Sequence, residues 1–247
     1  MTRHFIIVGA QRCGTTGLYQ LLAQHPDICM ARPIRPEPKF FLRKDAVEKG
    51  REDYLARHFA HHHNESVLGE KSTSYIEHDL AITNIRHVLP DAYLVFVLRD
   101  PAMRAYSNWK FSRSHGIEKL DFASALEAER KRTQSWDKER FSVCPYAYAE
   151  RGHYPRYLER WAAHFPRRQL ILMTSEHLFD NPMAARDLLD RIGVDASVLL
   201  PSPGKVNGSP AETSLPRGVL QRLRERYSED IRQLTDEWGL DTTPWQN

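Results

Sequence analysis

The chain has 247 residues, 41% of them apolar and 27% charged, with a formal net charge of +3. That balance suits a soluble globular protein with a full core, read as a single domain over residues 1–247. So small a charge gives no electrostatic case for a nucleic-acid partner, and Cys13, Cys29 and Cys144 are too few, and odd in number, for a disulfide framework.

Met1 to His4 leads straight into the apolar run Phe5–Val8, so no signal peptide is expected. No stretch approaches the roughly 18 apolar residues of a membrane helix, so no integral membrane segment and a reducing, cytoplasmic setting are expected. Phe5–Val8 ends in glycine and reads as a buried strand. Leu18, Leu21 and Leu22 follow at helical spacing, and Pro26 stops that helix. Tyr93–Leu98 reads as a second buried strand, after which Asp100 is placed to cap a helix and Pro101 fits its first turn. A third unit repeats the pattern, with a strand over Gln169–Met173 and a helix from about Pro182 to Ile192. Val219, Leu220, Leu223, Tyr227, Ile231, Leu234 and Trp238 keep a period near 3.6 and predict one long amphipathic helix. Strands alternating with helices predict an α/β fold of the P-loop type, three layers deep, with a central mostly parallel sheet flanked by helices. The stretches 32–64 and 111–153 are irregular and too long for simple connections, which marks them as site-bearing.

The first strand runs into Gly9-Ala-Gln-Arg-Cys-Gly14-Thr-Thr16. The glycine spacing is that of a nucleoside-triphosphate loop, but Thr15 stands where such a loop carries lysine. A strand, a glycine turn and a helix N-terminus still aim backbone N–H groups at an anion. A cation is present inside the loop as Arg12. The same turn also serves as a tight connection with no ligand. The second strand weighs against that, because it ends in Arg99, a fork suited to phosphate oxygens, rather than in an acidic magnesium ligand. Ser107 and Arg104 share a face of the following helix, with Arg104 read as a solvated charge. The expected ligand therefore carries two separate phosphate groups, one at each strand end.

The segments "GAQRCGTTGLYQLL" and "LVFVLRDPAMRAYSNW" together resemble the sulfotransferases that use 3′-phosphoadenosine 5′-phosphosulfate (PAPS). "PEPKFF" from Pro36, "LGEKSTSYI" from Leu68 and "RGHYPRYLERWAAHFP" from Arg151 are similar to the branch that includes heparan sulfate sulfotransferases and many bacterial relatives. The matches run from residue 5 to about 195, with weaker ones at "GKVNGS" and the last helix. The resemblance implies that Arg12, Cys13, Gly14, Thr15 and Thr16 hold the 5′-phosphosulfate, and that Arg99 and Ser107 hold the 3′-phosphate. Lys205, in the weaker match, joins the donor-binding set. Glu37 is implied as the base that takes the acceptor's proton, and Arg12 and Lys71 as the cations that meet charge on the leaving phosphate. Two departures stand out: Arg12 replaces the lysine of many relatives, and Ser72-Thr73 replaces the usual Ser/Thr-Pro.

Sulfuryl transfer of this kind is a loose in-line displacement that depends on positioning and on cations at the leaving group. It needs PAPS as co-substrate and no metal. His58 and His62 stand at i, i+4 on a possible helix, as a zinc pair could, but no acidic or cysteine partner follows with motif spacing. That cluster is read as a solvated helix end facing the acceptor. Cys13 has no resolving partner or triad nearby and reads as a small packing residue. Tyr154, Tyr157, Leu158, Trp161 and Phe165 have core spacing, whereas Tyr146, Tyr148 and His153 are placed to line an acceptor pocket. The expected acceptor is a hydroxyl, ahead of an amine, of a saccharide, lipid or secondary metabolite. A P-loop kinase of small metabolites and a non-catalytic nucleotide-binding protein are the alternatives; the kinase needs a lysine at position 15.

Overall fold

The N-terminal apolar run lies at the centre of a five-stranded sheet. A computed structural model describes residues 2–132, 135–138, 140–181, 184–198 and 216–245. Its strands are β1 (Arg3–Gly9), β2 (Ile28–Met30), β3 (Val67–Lys71), β4 (Tyr93–Leu98) and β5 (Leu170–Thr174). They stand in the order β2-β3-β1-β4-β5, and each pairing is parallel. The helices are α1 (Thr15–Leu22), α2 (Ala46–His58), α3 (Asp79–Val88), α4 (Pro101–Ser114), α5 (Phe122–Glu129), α6 (Tyr154–Ala162), α7 (Ser175–Asp180), α8 (Ala184–Ile192), α9 (Arg217–Arg226) and α10 (Ser228–Asp236). This is the expected α/β architecture, a parallel sheet flanked by helices.

The chain divides into two compact units, Met1–Leu98 with Leu158–Val206 and Arg99–Tyr157 with Asn207–Asn247. The first unit holds the sheet. Parallel strands are covered on both faces, so they read as unbroken apolar runs; β1 from His4 onward and β4 from Leu94 onward are buried throughout. β2 and β3 have no such reading in the sequence. β2 is only three residues long, and β3 is fully buried although it ends Gly69-Glu70-Lys71. Gly69 is needed there, because a Cβ would lie 2.2 Å from the ring of Phe5, its register partner on β1. Connections from β1 lead toward β2 and β3, while β4 leads the other way to β5. The side to which the connections run therefore switches between β1 and β4, the position at which parallel sheets take ligands at their carboxyl ends. α7 is an addition to the expected elements, capped by Thr174, whose Oγ1 accepts the His177 N–H at 3.2 Å. The expected start of the next helix, Pro182, lies outside the described residues.

The second unit is held by side chains aimed at backbone. Asp100 caps α4, accepting the Ala102 N–H at 2.9 Å, and also accepts from Arg224 Nε of α9 at 2.8 Å. Arg104 is not a solvated charge: it is 1% exposed, and its guanidinium donates to the Tyr148 carbonyl. Tyr148 is core as well, fully buried with its hydroxyl donating to Glu118 at 2.8 Å, so it does not line a pocket. His153 pairs with Asp230 at 2.6 Å. The predicted single C-terminal helix is two, α9 and α10, broken at Tyr227. The buried Tyr227 ring carries its hydroxyl to the Ala149 carbonyl at 2.6 Å, and its N–H is shared between the Leu223 and Arg224 carbonyls. That anchor outweighs helical continuity.

Replacing Asp100 with alanine removes the cap of α4 and the partner of Arg224 together. The expected loss is about 2 kcal/mol of stability, read as a lower urea midpoint; an unchanged midpoint would show that this clasp holds nothing.

Candidate active site

The glycine loop leaves β1 tied to β4, with the Ala10 N–H donating to the Val97 carbonyl at 2.8 Å. Two residues then take left-handed backbone, Arg12 at φ 72° and Gly14 at φ 82°. At position 14 only glycine fits, because a Cβ would also lie 2.4 Å from the Phe179 ring. Gly14 accepts the Gly17 N–H at 2.9 Å and so opens α1. Thr15 and Thr16 occupy its first turn, where N–H groups have no partner earlier in the helix and the helix dipole is positive. No acid stands in that turn. Cys13 is fully buried, its thiol directed at the Gln11 carbonyl at 3.7 Å, in keeping with a packing role.

β3 runs beside β1 with Lys71 opposite Ile7, so Lys71 reaches the carboxyl edge of the sheet next to the loop. The chain stays bound to β1 one residue further, where the Ser72 N–H donates to the Ile7 carbonyl at 3.1 Å. The Lys71 side chain is 4% exposed, and its Nζ lies 2.5 Å from Glu37 Oε1. Thr73 donates its N–H to Glu37 Oε2 at 2.9 Å and its hydroxyl to Oε1 at 3.0 Å. The departure from the usual proline therefore has a consequence: threonine at this position offers an N–H that proline lacks. Two residues expected to act together, 34 positions apart, are a hydrogen-bonded ion pair.

Beneath this pair lies a buried acid that sequence reasoning missed. Glu70 is fully buried and accepts from Ser72 Oγ at 2.6 Å, Tyr75 at 2.8 Å and Tyr54 at 2.8 Å. Burial outweighs those three donors and pushes its carboxyl up to about 7 from an ordinary 4.5. Phe40 and Phe41, the "FF" of the proline-flanked motif, pack against Tyr54 at ring separations of 5.2 and 5.0 Å. The signal for Glu70 was a charge inside a strand-length run; nothing in the sequence shows that Tyr54 reaches it.

Arg99 is the residue immediately after β4, and in the second unit its carbonyl accepts the Tyr154 hydroxyl at 2.9 Å. Ser107 stands on α4, half-buried. Lys205 lies outside the described residues. The histidine pair does not form: α2 ends at His58, so His62 is off the helix. His58, His61 and His62 lie against the carbonyls of Arg32, Met30 and Glu65 at 3.2, 3.0 and 3.0 Å. They are tied to backbone rather than forming a solvated helix end. Among the described residues no group of three or more His, Cys, Asp or Glu is arranged to hold a metal ion, and no helix is long and apolar enough to cross a membrane.

Residues 2–195 match the family described as "Sulfotransferase domain". The chain belongs to the sulfotransferase family. It is similar to bifunctional heparan sulfate N-deacetylase/N-sulfotransferase 2 of Bos taurus, 28% identical over 76% of this chain and 21% of that protein. The corresponding enzyme 3 of Homo sapiens is 29% identical over 74% of this chain and 21% of its own length. This sulfotransferase thus spans about a fifth of the length of the curated relatives it matches. Its fold is also that of a sulfotransferase from Alicyclobacillus acidocaldarius, with a TM-score of 0.80 and 23% identity over the whole of both chains.

The raised Glu70 carboxyl sets a pH dependence. An acid that holds its proton more tightly folded than unfolded adds stability that is complete below pH 4.5 and is lost as pH rises to about 7. The expected loss between pH 4.5 and 8 is about 3 kcal/mol from this group, and Glu70→Gln should flatten it in urea titrations at both pH values. A wild-type profile unchanged by that substitution would contradict the assignment.

Proposed function

We propose that this sulfotransferase moves the sulfuryl group of PAPS to a hydroxyl, or to an amine, of a small-molecule or glycan acceptor. The hydrogen-bonded pair of Glu37 and Lys71, beside the glycine loop, carries this reading. The first turn of α1 supplies N–H groups for the 5′-phosphosulfate, with Gly14, Thr15 and Thr16 in the loop and Arg12 as its cation. Thr15 in place of lysine fits a ligand without a third phosphate. Arg99 and Ser107 bind the 3′-phosphate, and residues 1–247 act as one catalytic domain. The two mammalian relatives are named for heparan sulfate, which puts a saccharide first among acceptors, with lipids and secondary metabolites following. Three free cysteines, two of them buried, fit a reducing cytoplasm.

The chemistry follows from the side chains. The acceptor oxygen or nitrogen attacks sulfur as the bond to the 5′-phosphate oxygen breaks, and its proton passes to Glu37. A carboxylate has about four lone-pair positions, so Glu37 can keep Lys71 and Thr73 and still accept that proton. Lys71 and Arg12 meet the negative charge that gathers on the departing phosphate, in a setting where burial strengthens every charge. The Thr73 N–H and hydroxyl hold the base in place while the proton moves.

Glu37→Gln is expected to lower kcat by about 100-fold or more with binding of the desulfated nucleotide retained; wild-type turnover would remove Glu37 from the mechanism. Arg99→Ala should weaken that nucleotide by about tenfold or more in calorimetry, and an unchanged affinity would refute the 3′-phosphate role. Turnover of ATP by a protein that ignores PAPS would overturn the whole reading.

A further inference from the structure

Glu70 is fully buried, and the cation next to it in the chain, Lys71, is paired with Glu37 rather than with Glu70. An acid removed from water needs compensation by hydrogen bonds. What Glu70 does with its two oxygens is uneven. Oε1 accepts from both Ser72 Oγ and the Tyr75 hydroxyl, at 2.6 and 2.8 Å, whereas Oε2 accepts from Tyr54 alone at 2.8 Å. A hydroxyl that donates still has lone pairs to offer. Those of Ser72 accept the Lys39 N–H at 2.9 Å, and that of Tyr75 accepts the Phe41 N–H at 3.1 Å. Both amides belong to the segment that carries Glu37. Lys39 takes left-handed backbone at φ 49°, which a residue with a side chain adopts only when its surroundings hold it.

We propose that Glu70 is a positioning residue for the transfer: through Oε1 it orients the Ser72 and Tyr75 hydroxyls, these hold the Lys39–Phe41 backbone, and that backbone sets Glu37 against Lys71. The proposal rests on the reading of Glu37 as the base. It makes a distinction that charge alone does not. The two relays need an acceptor at Oε1. At Oε2 the Tyr54 hydroxyl can donate or accept, so that side tolerates an N–H. Glutamine should therefore replace Glu70, with its carbonyl oxygen at Oε1 and its amide donating to Tyr54. Methionine keeps the bulk and loses both relays.

The test measures kcat, the donor KM, calorimetric affinity for the desulfated nucleotide, and amide exchange at Lys39 and Phe41. It compares wild type with Glu70→Gln, Glu70→Met, Ser72→Ala and Glu37→Gln. Glu70→Met should lower kcat about 10- to 100-fold, the cost of a displaced catalytic group, with donor KM and nucleotide affinity within about threefold. Exchange at both amides should quicken by about tenfold or more. Glu70→Gln should stay within about threefold of wild type in every measure. Ser72→Ala keeps the buried acid and should release the Lys39 amide while Phe41 stays protected, which decides the matter should the methionine variant not fold. Unchanged exchange at Lys39 in Ser72→Ala, or a glutamine variant as impaired as the methionine one, overturns the proposal. A Glu37→Gln variant with wild-type turnover removes the base assignment instead, and the exchange measurements still decide the role of Glu70.

Discussion

Two adjacent ionisable residues on a buried strand govern this structure. Glu70 and Lys71 close β3, the strand beside the central β1, and both are buried. Charge without water must be answered by other groups or not be there. The chain answers each differently. Glu70 faces three hydroxyls, and Lys71 faces a single carboxylate, Glu37. Several contacts of the segment that carries Glu37 belong to one of those two answers. Phe40 and Phe41 pack against Tyr54, Tyr54 and Tyr75 bring their hydroxyls to Glu70, and the Lys39 and Phe41 amides bind the Ser72 and Tyr75 hydroxyls.

On the proposed mechanism, the arrangement separates holding from reacting. Glu70 lies under the edge of the sheet with its oxygens engaged by protein groups. Glu37 is more open, its side chain 16% exposed against 4% for Lys71. In the proposed mechanism Glu37 has to meet the acceptor, whereas the groups that orient it gain by being dry, because hydrogen bonds strengthen where water is excluded. The glycine loop obeys a similar logic. Its backbone, with Gly14 pressed against Phe179, is fixed in advance, so the N–H groups assigned to the anion in the proposed function need no reorganisation.

The second unit is organised by caps and anchors rather than by a sheet. Asp100 serves α4 and Arg224 at once, Arg104 spends its charge on a carbonyl within the unit, and Tyr227 ends α9 by reaching Ala149. Each bonds to backbone, Asp100 also to the Arg224 guanidinium, so the packing tolerates no simple exchange of one charged residue for another.

Local chemistry was legible in the sequence wherever one residue's neighbours along the chain decide its state. The apolar runs of β1, β4 and β5 were readable because both faces of a parallel strand are covered. The Asp100 cap and the glycine turn were readable because caps and turns are made within a few residues. The family's motifs brought Glu37 and Lys71 forward as candidates. Only the tertiary structure showed that they are bonded to each other, that β3 is a strand despite its charges, and that Arg104 is buried. It alone broke the last helix at Tyr227 and turned the histidine cluster toward backbone carbonyls. Those outcomes depend on partners tens of residues away: Ile7 for Lys71, Tyr54 for Glu70, Tyr148 for Arg104 and Ala149 for Tyr227. A charge reads as exposed until the group that answers it is known, and that group is a property of the fold.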